Sequence, residues 1–185
     1  MVIFDANVLI ALVSKKTPSD DLARLNALIS DLSKRRLFVG IPTPVLAEFL
    51  VKTDAATQAV LDALERKSSL RVIPFDKMAA YECSMLDKKA LSNGNKRGSA
   101  KSAPYQKIKV DRQILAIANG ADMLVSADQN LIALAKDVGL KAVRIEELAL
   151  PAAALQQPLD FESQPAASAL TLSTPAMPLA NELPG

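Results

Sequence analysis

The first 150 residues combine two hydrophobic periodicities. Leu22, Leu25, Ile29 and Leu32 recur at the three- and four-residue spacing of an amphipathic helix, and similar helical patterns fill most of this region. Between them lie short apolar runs typical of buried strands, at 2–4, 37–41, 70–75, 123–125 and 141–145. This alternation predicts βαβ units, and therefore an α/β fold with a parallel sheet of four to five strands covered by helices on both faces.

Capping and breaking residues set the predicted helix limits. Thr43 precedes a proline and is predicted to cap a helix that ends near Lys52. A helix is predicted from Asp76 to about residue 91, followed by a loop over 92–107. The next helix is expected from about residue 110 to residue 119, where Gly120 stops it.

Residues 151–185 differ in composition from the rest of the chain. They contain six of the 11 prolines and no Lys or Arg. We therefore divide the chain into a folded domain at 1–150 and a Pro/Ala-rich tail at 151–185 that we expect to be flexible. The alternative is that this tail is a short segment that docks on the domain.

The composition excludes several kinds of catalytic site. The chain has no His and a single Cys, Cys83. Ser-His-Asp and Cys-His catalysis are therefore excluded, and so are zinc sites built on histidine, paired-cysteine clusters and disulfide frameworks. Catalysis must depend on carboxylates, hydroxyls, amides, Lys or Arg, and a bound metal should be a hard cation with oxygen ligands.

Charge and hydropathy limit the partners and the location. Residues 1–150 carry all 22 basic residues and 17 of the 20 acidic ones, a net charge of +5 that is compatible with a nucleic-acid partner. The N-terminal apolar run contains an acid and lacks a basic segment before it, so it is a poor signal peptide. No segment is predicted to span a membrane, and the expected location is the cytoplasm.

Four acids stand in unusually apolar surroundings. Asp5, Glu48 and Asp128 are each the only charged residue in a hydrophobic stretch, and Asp111 opens an apolar helix. Each has an ordinary explanation as a helix cap or a first-turn acid. Glu48 fits that explanation least well, because it lies beyond the first turn of its helix.

Together the acids suggest a metal site. Asp5 and Asp128 follow strands and Glu48 lies in the helix after another, so the three are expected at the carboxyl edge of the sheet, where ligands bind in parallel α/β folds. The pattern alone does not place Asp111 there. Clustered carboxylates repel one another and raise each other's pKa, and a divalent cation removes that penalty. Mg²⁺ or Mn²⁺ is the predicted cofactor.

The chain resembles the PIN-domain ribonucleases, including toxins of the VapC type, over about residues 1–148. The resemblance lies in four short motifs, found in the family's order: IFDANVLI at 3–10, PVLAEF at 44–49, KVDRQILAIA at 109–118 and LVSADQNL at 124–131. Each motif alone has little specificity, whereas four in order form a specific signal. The extended loop at 92–107 and the tail depart from the family pattern.

The resemblance implies a three-layer α/β/α sandwich and an acidic catalytic site. Its metal-binding and catalytic residues would be Asp5, Glu48, Asp111 and Asp128. Supporting roles fall to the side chains of Asn7 and Ser126. The implied activity is metal-dependent hydrolysis of RNA phosphodiester bonds without a protein nucleophile, by the toxin of a toxin–antitoxin pair. An antitoxin partner and a homodimer are implied as well.

A basic segment lies between Asp87 and Asp111, which have no other acid between them. Its flexible cations would attract a phosphate backbone beside an acidic site. The residues predicted to contact RNA are Lys96, Arg97, Lys101, Lys107 and Arg112. The alternatives are a solvated basic loop and, for Arg112, an ion pair with an acid.

Two other functions compete with the nuclease hypothesis. A haloacid-dehalogenase-like aspartyl phosphotransferase also uses an Asp after the first strand, but it usually has an acid two residues later, where this chain has Asn7. It also leaves Glu48 without a role. The other alternative is a non-catalytic PIN-like RNA-binding domain.

Overall fold

A computed structural model describes residues 1–66 and 70–152 of the chain. The prediction of a flexible tail at 151–185 falls, from residue 153 onward, outside these described residues.

Five strands form one sheet in which every neighbouring pair is parallel. In chain order they are β1 (Val2–Phe4), β2 (Val39–Pro42), β3 (Leu70–Ile73), β4 (Met123–Val125) and β5 (Ala142–Val143). Their order across the sheet is β3-β2-β1-β4-β5. The predicted α/β class with a parallel sheet of four to five strands is confirmed.

Helices connect the strands. They are α1 (Ala6–Val13), α2 (Ser19–Lys34), α3 (Thr43–Lys52), α4 (Ala55–Arg66), α5 (Lys77–Ser92), α6 (Tyr105–Ile117) and α7 (Gln129–Asp137), followed after β5 by a 3₁₀ turn at Ile145–Glu147. The chain moves from β1 outward to β3, then crosses back to β4 and continues to β5. Because parallel crossovers are right-handed, this reversal puts α1–α4 on one face and α5–α7 on the other. The point of reversal lies between β1 and β4, and ligands bind in such a crevice.

The core lies on both faces of the sheet. Ile3 and Phe4 of β1 and Leu124 of β4 are fully buried, as expected for central strands covered on both sides. Gly40 of β2 permits this close packing, since a Cβ there would lie 2.7 Å from the Ile3 side chain. A larger residue at position 40 would therefore push on the middle of the sheet.

Two predicted helix starts are wrong. α3 is capped by Pro42, and Thr43 is its first residue, because β2 continues to Pro42; the Thr43 hydroxyl accepts a hydrogen bond from the Phe75 N–H instead, at 3.0 Å. α6 starts at Tyr105 rather than near residue 110, because Pro104 supplies the extended residue that precedes a helix. Asp111 thus lies in the middle of α6 and cannot be its cap.

Candidate active site

Asp5 lies at the carboxyl end of β1 and caps α1. Its Oδ1 accepts a hydrogen bond from the Ala6 N–H at 2.7 Å, and its Oδ2 accepts from Asn7 Nδ2 at 2.6 Å and from the Ser126 hydroxyl at 2.7 Å. The residue is buried. The capping interpretation is correct for Asp5, but three donors converge on this carboxylate, which is more than a cap needs.

Asp128 stands across the crevice, at the end of β4, and caps α7. Its Oδ1 accepts from the Asn130 N–H at 2.8 Å. The Ser126 hydroxyl accepts from the Asp128 N–H at 2.9 Å while it donates to Asp5, so it links the two acids. Asn7 adds a second link, because its Oδ1 accepts from the Ala127 N–H at 2.9 Å. Asn7 and Ser126 therefore fix the ends of β1 and β4 relative to each other.

Asp111 reaches the same edge from α6. The Nζ of Lys107, one turn earlier in that helix, lies 3.0 and 3.2 Å from the two Asp111 carboxylate oxygens and 2.5 Å from Asp128 Oδ2. The Asp111 side chain is only 4% exposed, whereas that of Lys107 is 42% exposed. The structure thus places Asp111 at the carboxyl edge, which the sequence pattern alone had left open.

Glu48 lies on the outer side of this group. Its carboxylate pairs with Lys52, one turn later in α3, at 2.6 Å, and its side chain is 48% exposed. The expected position at the edge of the core is therefore wrong for Glu48, because α3 turns its apolar residues Val45 and Phe49 inward. Its charge still acts on Asp5, whose pKa it helps to raise.

Burial sets the protonation of the two innermost acids. It raises the pKa of Asp5, against the opposing effect of the hydrogen bonds from Ser126 and Ala6. It also raises the pKa of Asp111, against the effect of Lys107, with further contributions from the charges of Asp128 and Asp5. The repulsion expected among the acids is therefore present among these residues.

The outer pair is shifted toward its charged forms. Burial acts to raise the pKa of Asp128, but hydrogen bonds from Lys107 and from the Asn130 N–H outweigh it, and the net shift is downward. Burial acts to lower the pKa of Lys107, and its hydrogen bonds to Asp128 and Asp111 reverse that and raise it. Asp128 and Lys107 form a charged pair.

The donor chemistry of this edge fits a hard cation. Asp5, Asp111 and Asp128 offer only oxygen ligands, and two of them already share one positive charge, the Lys107 ammonium. Within 1–66 and 70–152, however, no three acids are grouped closely enough to hold one ion as they stand. A metal at this edge would require the Lys107 side chain to move away from the carboxylates.

The architecture matches that of known structures. One chain of the crystal structure of VapBC2 from Rickettsia felis, bound to a DNA fragment from their promoter, superposes with a TM-score of 0.51 at 18% identity, over 78% of this chain and 98% of that one. The chain has the fold of a VapC-type PIN domain. A chain of DNA-bound VapBC from Salmonella typhimurium gives a TM-score of 0.49 at 21% identity, over 78% of this chain and 97% of that one. No protein-family model matches the chain, and no curated protein does either.

The basic residues near this site divide into two groups. Lys96, Arg97 and Lys101 lie exposed on the loop between α5 and α6. Arg112 is buried: its guanidinium donates to Asp87 Oδ1 at 2.5 Å and to the Lys96 carbonyl at 2.7 Å. Of the two roles considered for Arg112, the structure shows the ion pair with an acid.

The acidic partners of two basic residues near the site are absent from the sequence prediction. The sequence predicts that Lys107 contacts RNA, whereas the structure pairs it with Asp111 and Asp128. The signal was available, since Lys and Asp four residues apart on a helix form ion pairs, but the late predicted start of α6 hid that spacing. Asp87 bounds the basic segment, and nothing local marks it as the partner of Arg112, 25 residues away.

Across 1–66 and 70–152, no helix combines the length and hydropathy that crossing a bilayer requires.

Proposed function

We propose that this PIN domain is a Mg²⁺- or Mn²⁺-dependent endoribonuclease. The observation that carries the proposal is that Asp5, Asp111 and Asp128 lie at the point where the sheet reverses its order. Asp5 and Asp111 are buried, and the Lys107 ammonium lies between Asp111 and Asp128. Buried carboxylates without a full complement of counter-charges are costly, and sites that bind hard cations are where such an arrangement is useful.

Asp5, Asp111 and Asp128 would hold the metal, with Glu48 on the outer side of the site. The ion supplies Lewis-acid activation of water and of a phosphate oxygen when it is bound. Asn7 and Ser126 keep Asp5 in a single orientation through their hydrogen bonds to its Oδ2. The side chain of Ser126 is fully buried and already donates to Asp5, so it does not serve as a nucleophile.

RNA would approach along the loop between α5 and α6. The exposed side chains of Lys96, Arg97 and Lys101 supply positive charge that compensates for the repulsion between a polyanion and the acidic site. Arg97 also donates to the Lys101 carbonyl at 3.1 Å, which gives this part of the loop a defined shape. Contacts of this kind hold a phosphate backbone without selecting a base sequence.

We further propose protein partners for the domain, an antitoxin and a second copy of the chain, and activity in the cytoplasm. The observation in support is that several large apolar side chains are exposed on α3 and α5: Leu50, Val51, Met78, Tyr81 and Met85. Met78, Tyr81 and Met85 recur on one side of α5. Apolar side chains clustered on one helix face are typical of protein-binding surfaces. Light scattering measures the molar mass of the protein in solution and therefore tests whether two copies of the chain associate.

Cleavage of RNA by the purified protein tests the nuclease function. With Mn²⁺ or Mg²⁺ we expect cleavage that EDTA stops and that Asp5→Asn and Asp111→Asn each reduce by about a thousandfold, because each removes a metal ligand. Asp122→Asn is the matched control, since it makes the same chemical change at the opposite edge of the sheet. Cleavage that survives EDTA, or that the two site variants leave unchanged, would contradict the proposal.

A non-catalytic RNA-binding domain is the second candidate. It is favoured by the pairing of Lys107 with two of the acids, which already neutralises part of the site. RNA binding without cleavage at any Mg²⁺ or Mn²⁺ concentration would support it. The phosphotransferase hypothesis lacks support, because Asn7 occupies the position of the second acid and donates to Asp5.

A further inference from the structure

The Lys107 ammonium joins two carboxylates that come from different parts of the fold. It contacts both oxygens of Asp111, on its own helix, and Oδ2 of Asp128, at the end of β4. Among the described residues, the Asp111 carboxylate accepts hydrogen bonds from Lys107 alone. Asp128 differs, since its other oxygen accepts from the backbone of α7.

This arrangement follows from the geometry of α6. Lys107 lies in the first turn of the helix, four residues before Asp111, so the two side chains share a face. The first turn of α6 lies at the carboxyl edge of the sheet, because the helix runs from that edge back to the start of β4. A lysine at this position can therefore reach Asp128 with its flexible four-carbon chain.

An ammonium and a divalent cation would compete for the same oxygens. Both neutralise the repulsion between Asp111 and Asp128, and both need the lone pairs that Lys107 now engages. A metal that enters must first break these two ion pairs. Only Lys107 is half-exposed among the three, so it is the member of the group that can leave for solvent.

We propose that Lys107 is a built-in counter-cation that joins Asp111 to Asp128 in the metal-free protein and thereby sets the affinity of the site for a divalent metal. The inference rests on the metal site of the proposed function. In this role Lys107 is a positioning residue, because it acts through the two carboxylates. It lowers the metal affinity and stabilises the metal-free fold.

Titration of the full chain with Mn²⁺ in a calorimeter, after treatment with EDTA and dialysis, tests this role. We expect Lys107→Met to bind Mn²⁺ about tenfold more tightly than the wild type, because two partly exposed ion pairs no longer have to be broken. We also expect its metal-free melting temperature to fall and Mn²⁺ to restore it. Lys107→Arg keeps the charge and should bind Mn²⁺ like the wild type.

Lys109→Met is the matched control. It removes a lysine of the same helix whose ammonium lies 5.3 Å from the ring centre of Tyr105 and forms no ion pair with the acids. It should change neither the Mn²⁺ affinity nor the recovery of the melting temperature. If Lys107→Met does not fold without metal, Lys107→Gln, which keeps a hydrogen-bond donor, replaces it.

The outcomes separate this inference from the proposed function. Equal Mn²⁺ affinity in Lys107→Met and the wild type, with binding abolished by Asp111→Asn, would overturn the inference and leave the metal site in place. Absence of Mn²⁺ binding in both proteins would overturn the metal-dependent function and the inference with it. Tighter binding in Lys107→Met alone supports both.

Discussion

Asp111 and Arg112 are neighbours on α6, carry opposite charges and are both buried, yet their surroundings differ. Arg112 has a direct ion pair with Asp87 and a hydrogen bond to the Lys96 carbonyl. Asp111 depends on Lys107, a side chain that is 42% exposed. Burial of a charge costs free energy in both cases, but fixed partners offset that cost only on the Arg112 side.

Arg112 connects α6 to the loop that precedes this helix. The loop between α5 and α6 is held there by Arg112 and also by Asp137, whose carboxylate accepts from the Ser99 N–H at 2.8 Å and from the Ser99 hydroxyl at 2.5 Å. Gly98 permits this approach, because it adopts a φ of +57° and a Cβ would lie 2.8 Å from Asp137. The loop that departs from the PIN pattern is thus fastened to α6 and α7.

Asp111 is a buried acid whose presence is not explained by a contribution to the stability of the fold. Its pKa is raised by burial, which means that the carboxylate is less favourable in the fold than in water. Two adjacent residues therefore differ in how their buried charges are balanced. Arg112 has an ion pair and a hydrogen bond to a backbone carbonyl, whereas Asp111 has the Lys107 ammonium.

The largest effect on stability is expected from the Arg112 side. Arg112→Met should lower the free energy of unfolding by about 2–4 kcal/mol, because it leaves Asp87 and the Lys96 carbonyl without their partner. Urea denaturation of the metal-free protein measures this. Mn²⁺ affinity of the folded variant should stay at the wild-type value; a large change in that affinity would show that the two sides of α6 are not separate.

Substitution of the neighbouring acid, Asp111, is expected to have a smaller effect on stability, and to increase it instead of decreasing it. Because burial raises the pKa of Asp111, the wild-type fold loses stability as the pH rises through that pKa. Asp111→Asn lacks this loss, so at pH 7 the metal-free variant should be more stable than the wild type. Urea midpoints measured from pH 7 down to pH 4 should show this gain become smaller. A destabilised variant at pH 7 would mean that Lys107 compensates fully for burial.

The smallest effect on stability is expected from an exposed ion pair, which serves as the reference for the two buried residues. The N-terminal ammonium lies 2.7 Å from Asp122 Oδ2 and lowers the pKa of that carboxyl. This pair contributes stability above the ordinary Asp pKa and loses it as the pH falls through the lowered value. Asp122→Asn should therefore lower the melting temperature slightly at pH 6, and the difference from the wild type should become smaller as the pH falls below the ordinary Asp pKa. A shift as large as that of Arg112→Met would contradict the distinction between buried and exposed pairs.

The sequence alone was sufficient to predict the secondary-structure elements and part of the site. Apolar runs placed the strands to within a few residues, and β4 coincides with its prediction at 123–125. Asp5 and Asp128 were correctly placed at the same edge, because residues that follow parallel strands must emerge together. These results depend on local periodicity and on chain direction, which are properties of sequence.

Other parts of the site depended on contacts between distant segments. The position of Asp111 and the partner of Arg112 follow from how α5 and α6 pack on the sheet, because no local pattern identifies a partner 25 residues away. The sequence determined which residues carry charge and which elements they belong to. Tertiary structure decided which charges pair across elements, because only packing brings Lys107 to Asp128 and Arg112 to Asp87.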